Sequence, residues 1–143
     1  MPIQQGATNA FKLGLTNGTF DFGTDTFKIA LYTGAANIGA DTAAYTTTGE
    51  TSGTGYVAGG NTLTVSVAPT FGAVPSNTTL YLSFDNVTWN PASFTARGAL
   101  IYKDGGGNPT VCVLDFGGDK TATTTFTVQF PTANSTNAII RIA

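Results

Sequence analysis

Short stretches in which apolar and polar side chains alternate, each bounded by turn residues, restrict the fold of this chain more than any other feature. In the clearest of them, Phe27, Ile29 and Leu31 point to one side of an extended strand and the intervening residues point to the other. Such stretches predict eight strands, over residues 27–32, near Tyr45, and over residues 63–67, 80–84, 98–102, 111–116, 125–130 and 138–142. The sequence therefore predicts an all-β fold, either an antiparallel β-sandwich or a jelly-roll-like barrel.

The N-terminal segment lacks this alternation. Residues 1–8 are mostly small and polar, which predicts an extended arm that reaches a neighbouring subunit. The candidate assembly contacts on this arm are Met1, Pro2, Ile3, Gln4 and Gln5. Asn9 is expected to cap one short helix over residues 10–15, and the Asn17-Gly18 pair is expected to end it. No break in composition divides residues 9–143, so they predict a single β-rich domain.

Two segments are rich in turn residues. Residues 34–60 contain many Ala, Thr and Gly residues and predict long loops, where binding surfaces are often found. Glu50, Tyr56 and Trp89 are the candidate members of such a loop binding surface. Residues 104–109 separate two apolar runs and predict a hairpin with a glycine-rich tip.

The scarcity of titratable side chains argues against an enzyme. The chain has six basic and eight acidic residues, no histidine, and Glu50 as its single glutamate. General acid–base and nucleophilic catalysis depend on such groups, so we expect no catalytic residues, and the sequence predicts no cofactor and no metal site.

Two pairs of aspartates are close in sequence, Asp21 with Asp25 and Asp115 with Asp119. A hydrolase built on Asp115 and Asp119 is the least favoured alternative, because both pairs lie in turn sequence where aspartate commonly binds the backbone. Calcium binding by the same oxygens is also disfavoured, since no calcium-loop pattern surrounds them.

Charge and hydropathy restrict the partners and the compartment. The net charge of −2 and the scattered basic residues predict no nucleic-acid binding. No apolar run reaches the length of a membrane span, and the N-terminus has no basic segment followed by an apolar one, so we expect folding in a cytoplasm. Cys112 is expected to be a buried apolar residue. A weakly charged surface is also easier to tolerate in a subunit of a large assembly than in a free monomer.

Aromatic residues with polar tips leave a carbohydrate-binding module as an alternative, because flat rings can stack on sugar faces. The residues in question are Tyr32, Tyr45, Tyr56, Tyr81, Trp89 and Tyr102. The other interpretation is that these rings fill a core or a subunit interface.

Four segments resemble, in order and spacing, a family of small virion structural proteins of tailed bacteriophages. They are residues 11–33, the glycine-rich stretch 49–60, residues 89–102 with Thr95-Ala96-Arg97, and Val113-Leu114-Asp115-Phe116-Gly117-Gly118-Asp119-Lys120. The two ends of the chain, residues 5–8 and 133–136, depart from that pattern.

The resemblance implies a non-enzymatic virion protein, assembled in the host cytoplasm. The leading hypothesis is a decoration (cement) protein that binds the major capsid protein, or other virion proteins, as a homo-oligomer such as a trimer. The alternative within the virion is a tail or fibre component whose 34–60 segment takes part in host attachment.

Overall fold

A computed structural model describes residues 3–72 and 78–142. In chain order the elements are β1 (Gly6–Ala7), α1 (Asn9–Asn17), β2 (Phe27–Tyr32), β3 (Asn61–Leu63), β4 (Val65–Phe71), β5 (Leu80–Phe84), β6 (Val87–Trp89), β7 (Phe94–Lys103), β8 (Thr110–Ala122), β9 (Phe126–Val128) and β10 (Ile140–Ile142). The predicted all-β fold with one short helix is confirmed.

The strands form three sheets in which every pairing is antiparallel. The largest sheet has the order β1-β8-β7-β2-β3, and two smaller sheets have the orders β10-β5-β4 and β6-β9. The main core joins side chains of the largest sheet to side chains of both smaller sheets, and α1 contributes Phe11. This arrangement is sandwich-like.

The central strands of the largest sheet are buried on both faces. On β2, Phe27, Ile29 and Leu31 enter the main core, whereas Ala30 and Tyr32 enter a second core on the opposite face. The second core is closed by side chains from the 34–60 segment and by Ile3. A strand with two buried faces is apolar almost throughout. This explains why the positions of β2 that face the second core include Ala30 and Tyr32.

The predicted hairpin is confirmed as β7 and β8, paired in the register Leu100↔Val113. Both strands are longer than predicted because they continue past a register shift between Ala96 and Gly98. At the tip, Asn108 adopts a positive φ of 56°, and its side-chain Oδ1 accepts a hydrogen bond from the Gly105 N–H at 2.8 Å. The polar side chain therefore closes the turn that the glycines allow.

Thr8, and not the predicted Asn9, caps α1. The Thr8 Oγ1 accepts a hydrogen bond from the Phe11 N–H at 3.1 Å, and the hydroxyl is within 3.1 Å of the Thr110 carbonyl oxygen on β8. Asn9 instead donates to Asp41. The prediction that Gly18 ends the helix is confirmed, because Gly18 takes a left-handed φ of 77° and its N–H binds the Gly14 carbonyl.

The predicted N-terminal arm is docked on its own domain. Gly6 and Ala7 pair with β8, and Ile3 is a buried member of the second core, so these residues contact their own chain. The reason is that a single isoleucine in a polar segment gains more from burial than from exposure. Gln4 and Gln5 are exposed, and Met1 and Pro2 lie outside the described residues.

Two details of the strand prediction were wrong. Near Tyr45 the structure has only an isolated bridge between Ala44 and Pro109 instead of a strand. The predicted strand over residues 63–67 is divided between β3 and β4, which belong to different sheets. In addition, β6 at Val87–Trp89 was not predicted, because three residues are too few to show alternation.

Candidate functional site

Glu50 is the centre of a hydrogen-bonded cluster within the 34–60 segment. Its Oε2 accepts from the Tyr45 hydroxyl at 2.7 Å, and its Oε1 accepts from the Tyr56 hydroxyl at 2.6 Å and from the Gly59 N–H at 2.8 Å. The Tyr56 oxygen in turn accepts from the Leu31 N–H on β2 at 2.8 Å. One carboxylate therefore joins three points of the segment and, through Tyr56, holds them against the largest sheet.

Two tyrosines of the largest sheet, Tyr32 on β2 and Tyr102 on β7, bind the same segment. The Tyr32 hydroxyl donates to the Thr46 carbonyl, and the Tyr102 hydroxyl donates to the Gly59 carbonyl, each at 2.6 Å. The rings of Tyr45 and Tyr102 stack with their centroids 4.8 Å apart. The segment is thus fixed by side chains that pack with their rings and bond with their hydroxyls, which is how buried tyrosines are usually satisfied.

The cluster raises the pKa of its phenols. Burial is the main cause for all four tyrosines, and the hydrogen bonds to the Glu50 carboxylate add to the rise at Tyr45 and Tyr56. For Tyr102, burial and the negative charges of Asp104 and Glu50 raise the pKa to about 12. Burial likewise raises the pKa of the Cys112 thiol to about 12.

Alkaline pH should therefore destabilise the fold. The unfolded chain ionises its thiol near pH 9.0 and its phenols near pH 10.0, below the folded values of about 12 for Cys112 and Tyr102. Between these limits the folded state binds more protons than the unfolded state, so the free energy of unfolding falls as the pH rises. We expect the urea midpoint to decrease from about pH 9 to 11, and less steeply in Tyr102→Phe. Equal slopes for the two proteins would contradict this assignment.

The predicted loop binding surface is only partly assembled. Glu50 and Tyr56 are in contact, but both Glu50 oxygens already accept hydrogen bonds within the chain. Trp89 is 2% exposed and belongs to the main core, with its ring 6.3 Å from that of Tyr56. Glu50 and Tyr56 therefore hold the segment by hydrogen bonds within the chain, and Trp89 packs in the core. Of the six aromatic residues considered for sugar stacking, Tyr32, Trp89 and Tyr102 are buried, and Tyr45, Tyr56 and Tyr81 are half-buried.

Asp21 and Asp25 lie in a turn, as predicted, whereas Asp115 and Asp119 lie within β8 and not in turn sequence, because β8 continues past residue 116. Asp21 Oδ1 accepts from the Gly23 N–H, while Asp25 Oδ2 accepts from the Asp21 N–H and lies 3.2 Å from the Lys103 Nζ. Asp115 Oδ1 accepts from the Gly117 N–H at 2.9 Å. Over residues 3–72 and 78–142, no group of three or more acidic, histidine or cysteine side chains is placed to hold a metal ion.

The surface feature best suited to an external contact is a groove of about 700 Å³. It is lined by β1, α1, β8, β10 and the segment that follows β9. Leu15 and Ile142 are exposed members of its lining, and Phe11 and Ile140 are buried members. A second depression of about 440 Å³ shares Phe116, Val128 and Gln129 with this groove, so the two are adjacent.

Comparison with known protein families, with curated protein sequences and with solved structures found no match to this chain. In the part of the chain that the structure describes, no helix has the length and apolar character needed to cross a membrane. The assignment of a function therefore depends on the surface of the molecule itself.

Sequence reasoning missed the groove. Its walls come from residues near position 12, residues 111–116 and residues near position 140, which only the folded sheet order brings together. The sequence places Phe11 and Leu15 on one face of the helix and Leu13 on the opposite face, and Leu13 does not line the groove, so the helix pattern alone gave no signal for it.

Proposed function

We propose that this protein is a non-enzymatic structural subunit of a tailed-bacteriophage virion, where it decorates the capsid and braces neighbouring capsid subunits. The observation that carries the proposal is a row of apolar side chains that the folded chain leaves uncovered beside the groove. The exposed large apolar side chains of the described residues are Leu13, Leu15, Val57, Phe71 and Ile142. Single exposed apolar residues are ordinary, whereas contiguous ones mark contact surfaces.

Part of this surface is contiguous. On neighbouring strands β4, β5 and β10, the residues Phe71, Leu80 and Ile142 lie directly opposite one another. They form an apolar row on one face of the three-stranded sheet. Phe71 and Ile142 are exposed and Leu80 is half-buried. Ile142 also lines the groove with Leu15, which joins the row to the groove. An apolar surface of this kind supports a protein that is covered by neighbours when assembled.

The use of the carboxylates supports a structural role. Glu50, Asp21 and Asp25 accept hydrogen bonds that close a turn or hold a loop, and Asp115 accepts one from the Gly117 N–H within β8. Four of the eight acidic side chains are thus engaged in maintaining the fold.

The attachment of the 34–60 segment favours capsid bracing over host attachment. Four tyrosine hydroxyls and Glu50 hold the segment against the largest sheet. A tail or fibre component would need this segment to reach outward to a receptor. We accordingly propose the major capsid protein as the partner, with this chain acting as a homotrimer at local threefold positions of the virion.

A phage lacking this chain tests the role. We expect its heads to lose DNA more readily on heating or osmotic shock than wild-type heads, because bracing contacts across subunit joints are missing. Host adsorption should be unchanged. Impaired adsorption with heads of normal resistance would contradict the capsid role and support the tail or fibre alternative, and restoration by the cloned gene is the control.

A further inference from the structure

The groove has an unusual charge for this protein. The three exposed basic side chains of the described residues are Lys12 and Arg141 on the groove and Lys120 on the adjacent second depression. Asp115 is the one acidic side chain in the lining, and its Oδ1 is bound to the Gly117 N–H. The lining is therefore positive in a chain whose net charge is −2.

These basic side chains have no acidic partner within the described residues. The one ion pair within 4.0 Å over residues 3–72 and 78–142 joins Lys103 to Asp25, which is elsewhere. Arg141 makes a single hydrogen bond to the Ser135 carbonyl, at 3.3 Å. Lys12, Lys120 and Arg141 are thus placed to bind carboxylates from outside the chain.

A terminal strand of the three-stranded sheet also lines the groove. Within residues 3–72 and 78–142, β10 pairs with β5 on one side only, and Ile140–Ile142 line the groove. An unpaired edge beside an apolar groove is the arrangement in which an extended peptide adds a strand, with main-chain hydrogen bonds to the edge and alternate side chains in the groove.

We propose that this groove binds an extended acidic segment of a neighbouring protein, which pairs with β10, places apolar side chains between Leu15 and Ile142, and directs carboxylates to Lys12 and Arg141. The inference deepens the proposed function, on which it rests, since it states how a subunit would engage its partner. The positive lining of the groove favours an acidic segment over a second copy of this chain's apolar row.

Selection from a displayed library of random twelve-residue peptides, with the isolated protein as bait, tests this proposal. We expect enriched peptides with apolar residues at alternate positions and Asp or Glu between them. Each should bind about tenfold more weakly to the Lys12→Gln/Arg141→Gln variant, in which two charged contacts are lost. The Thr62→Glu/Ser66→Glu variant has the same change in net charge on exposed strand positions outside both depressions, and it should bind like wild type.

Main-chain pairing is tested separately, with N-methyl groups on alternate residues of the best peptide. Methylation of the residues that face β10 should abolish binding, and methylation of the others should not. The proposal is overturned by a selection without enriched peptides, by enriched peptides that lack acidic residues, by equal binding to the Lys12→Gln/Arg141→Gln variant, or by equal binding of a twelve-nucleotide single-stranded DNA. Because the bait is the isolated protein, failure here would leave the virion assignment standing, and absence of the chain from virions would leave the peptide result standing.

Discussion

The Glu50→Ala variant should lose about 3 kcal/mol of unfolding free energy, because the carboxylate accepts hydrogen bonds from Tyr45, Tyr56 and Gly59. Removing a shared acceptor leaves these partly buried donors without one, which costs more than the net value of a single hydrogen bond. Urea denaturation followed by tryptophan fluorescence measures the change, with Trp89 as the single reporter.

Two controls separate the hydrogen bonds from the charge. Glu50→Gln keeps a side-chain oxygen acceptor, so we expect it to lose about 1 kcal/mol. Asp119→Ala removes one exposed negative charge and should change stability by less than about 0.5 kcal/mol. If Glu50→Ala unfolds at the wild-type urea concentration, then Glu50 does not hold the 34–60 segment and is free to serve as part of a binding surface.

The Trp89→Ala variant should lose about 3–5 kcal/mol, which is the usual cost of deleting a large aromatic side chain from a core. The Trp89 ring contacts Phe94 and Phe126 edge-on, with centroids 6.4 and 6.0 Å away. Deleting it leaves a cavity between the β6-β9 sheet and the largest sheet. Since this variant lacks the fluorescent reporter, circular dichroism is the appropriate measurement.

Trp89→Phe distinguishes packing from polar interactions. The indole Nε1–H is buried and has no hydrogen-bond acceptor among the described residues, so replacement by phenylalanine removes an unsatisfied donor together with part of the ring. We expect a loss of about 1–2 kcal/mol, well below that of alanine. A Trp89→Ala variant that folds normally but loses binding on a glycan array would contradict the core assignment and revive the carbohydrate-binding alternative.

The alternation of side chains was sufficient to predict the β fold and the β7–β8 hairpin, because burial on one or both faces of a strand is encoded locally. The same reasoning failed for Ile3 and Thr8. Whether a short polar segment extends outward or pairs with β8 depends on the tertiary position of that strand, which no local pattern records. Trp89 was assigned to a surface because β6 is too short to reveal which way its side chains point.

The two sites differ in how far the sequence could predict them. Glu50, the single glutamate, was predicted from the sequence as a site residue. Its three hydrogen-bond donors were not predicted, because only the folded 34–60 segment brings them together. Lys12 is more than a hundred positions before Lys120 and Arg141 in the sequence, so the basic residues of the groove and the second depression appeared scattered. These residues come close together because the fold brings α1, β8 and β10, which carry them, to the walls of the same groove.

A cryo-EM map of the virion that encodes this chain tests the central claim most directly. The account predicts density for the chain on the outer surface of the capsid, at joints between capsid subunits, with the apolar row and the groove of Lys12 and Arg141 covered by a neighbour. Density for the chain only in the tail, or its absence from the particle, would contradict the account.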